Sequence, residues 1–272
     1  MLPDPTQTAR MNTAQLRGKF LVEDLFCPGQ VRLVYTSLDR MIVGSVVPTD
    51  TRLALAAGKE LACDHFAERR EVGILNLGAP GTVIVDGQAY AMARRDGLYI
   101  GRGAKEIAFE SDRIEASSRF YLTSFPAHAS HPTVQVKADQ AQQLELGSAE
   151  RASRRTIYMY IHTGGVRSCQ LVMGITAVEE GSVWNTMPAH THVRRVEAYL
   201  YHNLAPDSVV FHYMGLPEET RHLVVREGQV ALSPSWSIHS GCGTGNYSFA
   251  WAMGGENQQF DDLDMVGMDR VR

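Results

Sequence analysis

The stretch His190-Thr191-His192-Val193-Arg194-Arg195-Val196-Glu197 determines how the rest of the chain is interpreted. If it is extended, His190 and His192 point to the same face, because side chains alternate along a strand. A turn or bulge within Val193–Val196 would bring the Glu197 carboxylate back to the two imidazoles. Two neutral imidazoles and a carboxylate on one face are a ligand set for a divalent transition metal.

A fourth ligand is expected from His239, at the end of Gly228-Gln-Val-Ala-Leu-Ser-Pro-Ser-Trp-Ser-Ile-His239. Together the two stretches resemble the two motifs of the cupin superfamily, H-x-H followed by E, and G followed by P-x-G and H. Trp236 stands where these proteins usually have glycine, which leaves the local backbone geometry open. The resemblance implies a small β-barrel with the metal in its mouth.

Composition limits the class of protein. With 272 residues, 44% of them hydrophobic, the chain can form one large or two modest domains with a substantial core. The net charge of −4 argues against a nucleic-acid partner. No apolar run reaches the roughly 18 residues that span a bilayer, and no signal-peptide pattern opens the chain. The four scattered cysteines favour free thiols. We therefore expect a cytoplasmic protein without a membrane partner.

Many short segments rich in β-branched residues, separated by glycine-rich turns, predict an all-β fold with little helix. Asp86-Gly87 is a strong hairpin signal, because a type I′ turn needs positive φ. Residues 1–20 are expected to form an arm or a short helix. Residues 137–155 are polar and predict a linker, with a turn of helix at 141–146. The predicted lobes are an N-terminal lobe, 1–145, and a metal-binding lobe, 146–272.

The two halves carry traces of a repeat. If Arg70 corresponds to Arg195, His65 falls at the position of His190 and Ala67 at that of His192. The N-terminal half is then a second cupin-like barrel that lacks a ligand set. This interpretation predicts a metal only in the C-terminal half, although chance similarity between β-hairpins remains an alternative.

Three histidines and one carboxylate leave coordination positions open for water or substrate, as catalytic sites do and closed structural sites do not. Ligand chemistry alone leaves zinc, manganese, iron and nickel open. Polar groups near the motifs are candidates for substrate contacts, and an arginine can hold a carboxylate through two hydrogen bonds. The candidates for substrate binding are Arg221, Tyr199 and His162.

The resemblance then narrows to one family within the cupins, the 4-deoxy-L-threo-5-hexosulose-uronate ketol-isomerases, also called 5-keto-4-deoxyuronate isomerases. It extends over nearly the whole chain. The stretches that carry it are Trp184–Glu197, Val210–His222, Ser233–Gly245, Gly255–Asp262 and, in the N-terminal half, Phe20–Glu23, Asp39–Gly44, Glu68–Glu71, Val85–Gln88 and Tyr99–Glu106.

This resemblance implies a two-lobed cupin that binds zinc and is commonly a homohexamer. The family's zinc ligands fall on His190, His192, Glu197 and His239. The implied reaction is an aldose–ketose isomerisation in the breakdown of pectin or related polyuronides, which converts 5-dehydro-4-deoxy-D-glucuronate to 3-deoxy-D-glycero-2,5-hexodiulosonate.

For this chemistry the metal is expected to act as a Lewis acid on an enediolate. Because Glu197 is engaged by the metal, another group should move the C2 proton to C1, and the candidates are Glu219, His222 and Glu256. A hydride shift is the competing route. Alternative functions are a 5-deoxy-glucuronate isomerase of inositol catabolism, an iron-dependent cupin dioxygenase, and a non-enzymatic sugar-sensing or storage cupin.

Overall fold

A computed structural model describes residues 3–113, 117–256 and 258–272. The chain forms two compact units, each assembled from segments distant in sequence. Unit 1 comprises Met1–Asp24, Gln142–Met159 and Met173–Arg272, and unit 2 comprises Leu25–Ala141 and Tyr160–Val172. This division differs from the contiguous lobes 1–145 and 146–272, because the first 24 residues belong to unit 1 and residues 160–172 to unit 2.

The described elements confirm the all-β prediction. Helix is limited to α1 (Pro5–Ala9), α2 (Thr13–Phe20) and a 3-10 turn at Lys59–Leu61, and none of these helices has the length and apolar character to cross a bilayer. The strands, in chain order, are β1 (Leu21–Val22), β2 (Gln30–Tyr35), β3 (Ile42–Val47), β4 (Leu53–Ala54), β5 (Arg70–Asn76), β6 (Gly81–Val85), β7 (Gln88–Met92), β8 (Gly97–Ile100), β9 (Ile107–Ser111), β10 (Phe120–Pro126), β11 (Val134–Val136), β12 (Gln142–Leu146), β13 (Arg155–Ile161), β14 (Val172–Val178), β15 (Trp184–Asn185), β16 (His190–Thr191), β17 (Arg195–His202), β18 (Val210–Leu216), β19 (Glu219–Val225), β20 (Val230–Ser233), β21 (Ser240–Gly243), β22 (Ser248–Gly255) and β23 (Asp264–Met265).

Each unit contains one large and one small sheet. In unit 1 the seven-stranded sheet has the order β1-β20-β17-β22-β14-β13-β12, and the four-stranded sheet has the order β15-β21-β18-β19. In unit 2 the corresponding orders are β11-β8-β5-β10-β3-β2 and β4-β9-β6-β7. The core of unit 2 draws apolar side chains from both of its sheets, as in a β-sandwich.

The strand orders confirm the internal repeat. The series β20-β17-β22-β14-β13 matches β8-β5-β10-β3-β2, and the small sheets match in the same way. Arg70 and Arg195 are each the first residue of their matched strand, as the sequence alignment required. When Arg70 is aligned with Arg195, the residue of unit 2 that corresponds to Glu197 is Val72, which is buried. Among the described residues, the one group of three or more clustered ligand-type side chains is in unit 1.

Contacts with residues far along the chain join the N-terminal segment to unit 1. Helix α2 begins with a capping box in which the Asn12 side chain accepts from the Gln15 amide and the Gln15 side chain accepts from the Asn12 amide, both at 3.0 Å. Arg17 donates to the carbonyl of Val224 at 2.7 Å. Strand β1 then pairs with β20, Leu21 opposite Ala231. These non-local contacts are invisible to a reading of local sequence.

Of two local structures predicted from the sequence, a hairpin turn is confirmed and a helical turn is wrong. The hairpin at Asp86-Gly87 is confirmed, with φ of 47° and 83° between β6 and β7. The helical turn predicted at 141–146 is wrong, because this segment is strand β12, which pairs with β13 from Gln142 opposite Met159 to Leu146 opposite Arg155. The predicted linker 137–155 therefore contributes an edge strand, whose polar side chains are exposed.

Unit 2 buries a carboxylate completely. Glu71 accepts hydrogen bonds from the backbone amides of Cys169 at 2.6 Å, Gln170 at 2.8 Å and Leu171 at 2.9 Å. The hydroxyl of Tyr99 donates a fourth at 2.8 Å. Its charge is thus balanced by donors from the chain itself, which ties residues 169–171 to β5.

We predict that Glu71→Gln lowers the free energy of unfolding by about 2 to 4 kcal/mol, because an amide nitrogen then faces N–H donors in a buried site. Urea unfolding at pH 7 measures the change. The exposed Glu60 provides the matched control, and Glu60→Gln should stay within about 0.5 kcal/mol of the parent. Equal midpoints for the two variants would contradict this role of Glu71.

Candidate metal centre

Three of the four predicted ligands come from one local structure. Strand β16 carries His190, and a turn then leads into β17, with the Arg195 amide donating to the His192 carbonyl at 2.9 Å. This is the turn that the sequence required between Val193 and Val196. The turn changes the direction of the chain, so that the side chain of Glu197, two residues after the start of β17, faces the imidazoles.

The fourth predicted ligand, His239, lies just before β21, after a turn in which the Ser237 amide donates to the Pro234 carbonyl at 3.0 Å. The residue in the usual glycine position, Trp236, is not among the residues with positive φ, so the turn does not require glycine there. Its ring packs edge-on against Phe20, with centroids 6.5 Å apart. The departure from the cupin motif therefore leaves His239 in place.

The four side chains converge. Nε2 of His239 lies 2.9 Å from Nε2 of His190 and 3.1 Å from Oε2 of Glu197. Nε2 of His192 lies 3.0 Å from the same carboxylate oxygen. Two donors that each bind a zinc ion at about 2.0–2.1 Å are about 3.0–3.4 Å apart. The spacing and the nitrogen and oxygen chemistry of the donors thus fit one divalent cation.

Hydrogen bonds on the far side of two rings orient them. Nδ1 of His192 is 3.2 Å from the Arg195 carbonyl, which can only accept a proton. This contact places the hydrogen on Nδ1 and leaves the Nε2 lone pair directed at the centre. Nδ1 of His239 is 3.2 Å from Oγ of Ser233, which lies opposite Glu197 on β20.

Burial also keeps the rings of His190 and His239 neutral. It lowers the pKa of His190 to about 3, with further contributions from His192 and Arg195. Burial likewise lowers the pKa of His239 well below its ordinary value, and the neighbouring histidines add to the effect. Neutral imidazoles present a lone pair to a metal at physiological pH, whereas imidazolium ions do not.

A cavity of about 310 Å³ opens onto His190 and Glu197, at the lower end of the range for small-molecule sites of about 300–1,000 Å³. Its wall is the inner face of the large sheet and the segments that flank it. The lining residues are Leu146, Arg155, Ile157, Thr176, Asn185, Thr186, Met187, Pro188, His190, Glu197, Tyr199, Phe249, Trp251, Met253, Phe260, Leu263 and Met265.

The C-terminal segment closes one wall of this cavity. Strand β23 pairs with β16, so that Met265 lies opposite His190. Arg194 holds the segment through two parallel hydrogen bonds to Asp262, at 2.9 and 2.8 Å, and a further contact with Asp264 at 3.1 Å. The position of His190 is therefore coupled to the C-terminal residues.

The likeness to known proteins extends over nearly the whole chain. A model of the KduI/IolB family matches residues 22–266. The chain belongs to the KduI/IolB family. A 4-deoxy-L-threo-5-hexosulose-uronate ketol-isomerase of Lachnoclostridium phytofermentans is 50% identical over 268 residues, 98% of this chain and 97% of that protein. One from Kineococcus radiotolerans is 51% identical over 271 residues, again 98% and 97%.

Solved structures confirm the predicted two-lobed cupin fold. An IolB-like protein from Salmonella typhimurium LT2 superposes with a TM-score of 0.74 at 10% identity, over 91% of this chain and 96% of that one. An oxalate decarboxylase superposes with a TM-score of 0.62 at 9% identity, over 91% and 79%. At these identities the likeness concerns the fold alone.

The other predicted site residues of this family member are scattered. Tyr199 is buried, lines the cavity and lies 5.5 Å from His239 between ring centroids. Glu219 and His222 are exposed on β19, and Glu256 is exposed just after β22. These three are absent from the described cavity lining, and their catalytic role stays a prediction.

Two predicted substrate contacts, Arg221 and His162, are also absent from the described cavity lining, and their role in substrate binding stays a prediction. The guanidinium of Arg221 donates to the carbonyl of Met11, and His162 belongs to unit 2. Arg155, which does line the cavity, was missed. The sequence pattern that could have identified Arg155 is its alternation with Ile157 at the start of a strand. The polar residues before Arg155 obscured this pattern.

A buried histidine in the same unit predicts acid sensitivity. His212 is 1% exposed, and its Nδ1 lies 2.8 Å from the hydroxyl of Tyr201. Burial lowers the pKa of His212 from 6.5 to about 3. Between these values the unfolded chain binds a proton that the folded protein excludes, so this group lowers the free energy of unfolding as pH falls.

We predict that His212→Gln, which keeps a hydrogen-bonding group but does not titrate, loses less stability than the parent between pH 7 and pH 5. The difference should be about 1 to 2 kcal/mol, measured by urea unfolding in the presence of a chelator. The exposed His128 supplies the control, since His128→Gln should leave the pH dependence unchanged. An unaltered slope in His212→Gln would show that His212 does not carry the effect.

Proposed function

We propose that this chain is a metal-dependent ketol-isomerase that converts 5-dehydro-4-deoxy-D-glucuronate to 3-deoxy-D-glycero-2,5-hexodiulosonate. The observation that carries the proposal is the convergence of His190, His192, His239 and Glu197 at the end of a cavity, in a chain about 50% identical over its length to proteins named for this reaction. Four ligands with space beside them suit a catalytic centre.

These four side chains would hold the metal, which we propose is zinc because three imidazoles and one carboxylate suit it, with Mn²⁺ and Fe²⁺ as alternatives. A bound divalent cation supplies Lewis-acid stabilisation of oxyanions at this position. The neutral rings of His190 and His239 leave Glu197 as the ligand that carries negative charge, so a divalent cation held here would keep net positive charge for an anionic substrate oxygen.

The isomerisation moves one hydrogen from C2 to C1 and one from the C2 hydroxyl to the C1 oxygen. Burial raises the pKa of Tyr199 well above its ordinary value, and the Glu197 charge and a hydrogen bond to Glu197 add to this. Its phenol therefore stays protonated at neutral pH and donates a hydrogen bond. We propose that Tyr199 turns its single O–H from Glu197 to a substrate oxygen and stabilises the negative charge that develops there.

The remaining proposals concern the cellular compartment and the oligomeric state of the enzyme. The cysteines Cys27, Cys63, Cys169 and Cys242 are free thiols, which supports a reducing, cytoplasmic location. We also propose a homo-oligomer, a hexamer by resemblance to the family, and analytical ultracentrifugation would test it.

The decisive experiment combines turnover with metal analysis on one preparation. We expect the parent to convert 5-dehydro-4-deoxyglucuronate with about one metal ion per chain, and to lose activity on chelation. His239→Ala should lose both metal and at least about 100-fold in kcat/KM, because it removes a ligand of the centre. His128→Ala, an exposed histidine in unit 2, should retain both.

A metal-loaded parent that does not turn over this substrate would remove the proposed reaction while leaving the metal centre. Reaction in deuterium oxide separates the two routes of hydrogen transfer. Deuterium at C1 of the product is expected for proton transfer through an enediol, whereas complete retention of the C2 hydrogen would establish a hydride shift. Glu219→Gln and His222→Gln show in the same assay whether either exposed group takes part.

A further inference from the structure

The cavity has one cationic side chain in its described lining. This is Arg155, the first residue of β13, where it lies opposite Leu146 of β12. Leu146, Arg155 and Ile157 all line the cavity. Alternation along β13 places Arg155 and Ile157 on the same face, so the guanidinium belongs to the inner surface of the large sheet.

The guanidinium has no acidic partner among the described residues. Its hydrogen bond goes from an Nη1 to the backbone carbonyl of Ser153 at 2.9 Å, and none of the ion pairs within the described ranges includes it. Burial lowers the pKa of Arg155, but an arginine remains charged in proteins. The guanidinium of Arg194, in contrast, is paired with the carboxylates of Asp262 and Asp264. The guanidinium of Arg155 therefore offers the cavity several N–H donors and a positive charge that no carboxylate of the described residues neutralises.

Its distance from the metal centre suits a short acid. In the large sheet, β17 with Glu197 is separated from β13 by β22 and β14, which is three steps of about 4.8 Å between neighbouring strands. The long arginine side chain shortens this gap from one end and the Glu197 side chain from the other. An extended six-carbon chain with bonds of about 1.5 Å measures about 6 Å end to end, which is less than the roughly 14 Å between the two strands.

The wall between the two ends is apolar and aromatic. It includes Phe249, Trp251 and Met253 from β22, with the Trp251 indole held by a hydrogen bond to Thr176 at 3.1 Å. Charge is thus confined to the two ends of the cavity, a cationic fork at one and the metal ligands at the other. A molecule with an anionic group at one end and a carbonyl with a hydroxyl at the other matches this arrangement.

We propose that Arg155 binds the carboxylate of the uronate substrate and so orients the aldehyde end toward His190 and Glu197. This inference rests on the proposed isomerase function and adds the residue that selects for an acid. It assigns to Arg155 the role that the sequence suggested for Arg221, whose guanidinium is engaged by the Met11 carbonyl. A neutral sugar of the same length would lack the interaction.

The test compares Arg155→Met and Arg155→Lys with Arg154→Met. Arg154 is adjacent, and its side chain is 59% exposed, so it controls for loss of positive charge alone. Two ligands are used, 5-dehydro-4-deoxyglucuronate and its uncharged methyl ester. For each variant, turnover gives kcat and KM, calorimetry gives the dissociation constant, and metal analysis and the unfolding midpoint report on the centre and the fold.

We expect Arg155→Met to lose about 30-fold or more in kcat/KM for the acid, mostly through KM, because a paired charge loses its partner. The same variant should change less than about threefold with the methyl ester and keep its metal. Arg155→Lys should recover part of the loss, since it restores charge without the bidentate geometry. Arg154→Met should behave as the parent.

Equal losses for acid and ester, or no loss for the acid, would overturn the assignment. The failure of the proposed reaction gives a different pattern, since a parent that binds the acid without turnover still allows the binding comparison to decide the role of Arg155. A parent that binds neither ligand by calorimetry overturns both proposals.

Discussion

A carboxylate held almost completely out of water at Glu197 is the constraint on which unit 1 depends. Its side chain is 4% exposed, and its nearest partners include the Nε2 atoms of His192 and His239. A buried charge without compensation costs several kcal/mol, and neutral imidazoles do not supply a full positive charge. A divalent cation among these donors would satisfy the requirement. The central position of β17, the turn at His192 and the pairing of β16 with β23 all serve to assemble the same group.

Unit 2 shows how the same strand order is packed when no carboxylate occupies the position of Glu197. In unit 2 the same strand order carries Val72 and Ala67 where unit 1 has Glu197 and His192, and both are fully buried. The buried carboxylate of that unit, Glu71, is satisfied by three backbone amides and a tyrosine hydroxyl. Two copies of one architecture thus compensate buried carboxylates differently. One uses donors of its own chain, and the other gathers acceptors that leave room for a cation.

The sequence predicted those parts of the site that depend on local spacing. His190, His192 and Glu197 are brought together by one turn, and His239 follows a second recognisable turn, so short-range patterns were sufficient. Arg155 was missed because its environment depends on the pairing of β12 with β13 and on the two strands, β14 and β22, that lie between β13 and the strand of Glu197. The same limit applies to the segment before Asp24, which joins unit 1 through contacts with Val224 and Ala231. Glu219 and His222 had suitable chemistry, but sequence did not specify that they face away from the protein interior.

The most direct test of the account is anomalous scattering from crystals of the enzyme as purified, measured on both sides of the zinc absorption edge. The account predicts one strong peak per chain, about 2.0–2.2 Å from Nε2 of His190, His192 and His239 and from a carboxylate oxygen of Glu197. Mn²⁺ or Fe²⁺ would give the same position with a different edge. A protein that is active while this position holds no metal, or a metal bound elsewhere in the chain, would contradict it.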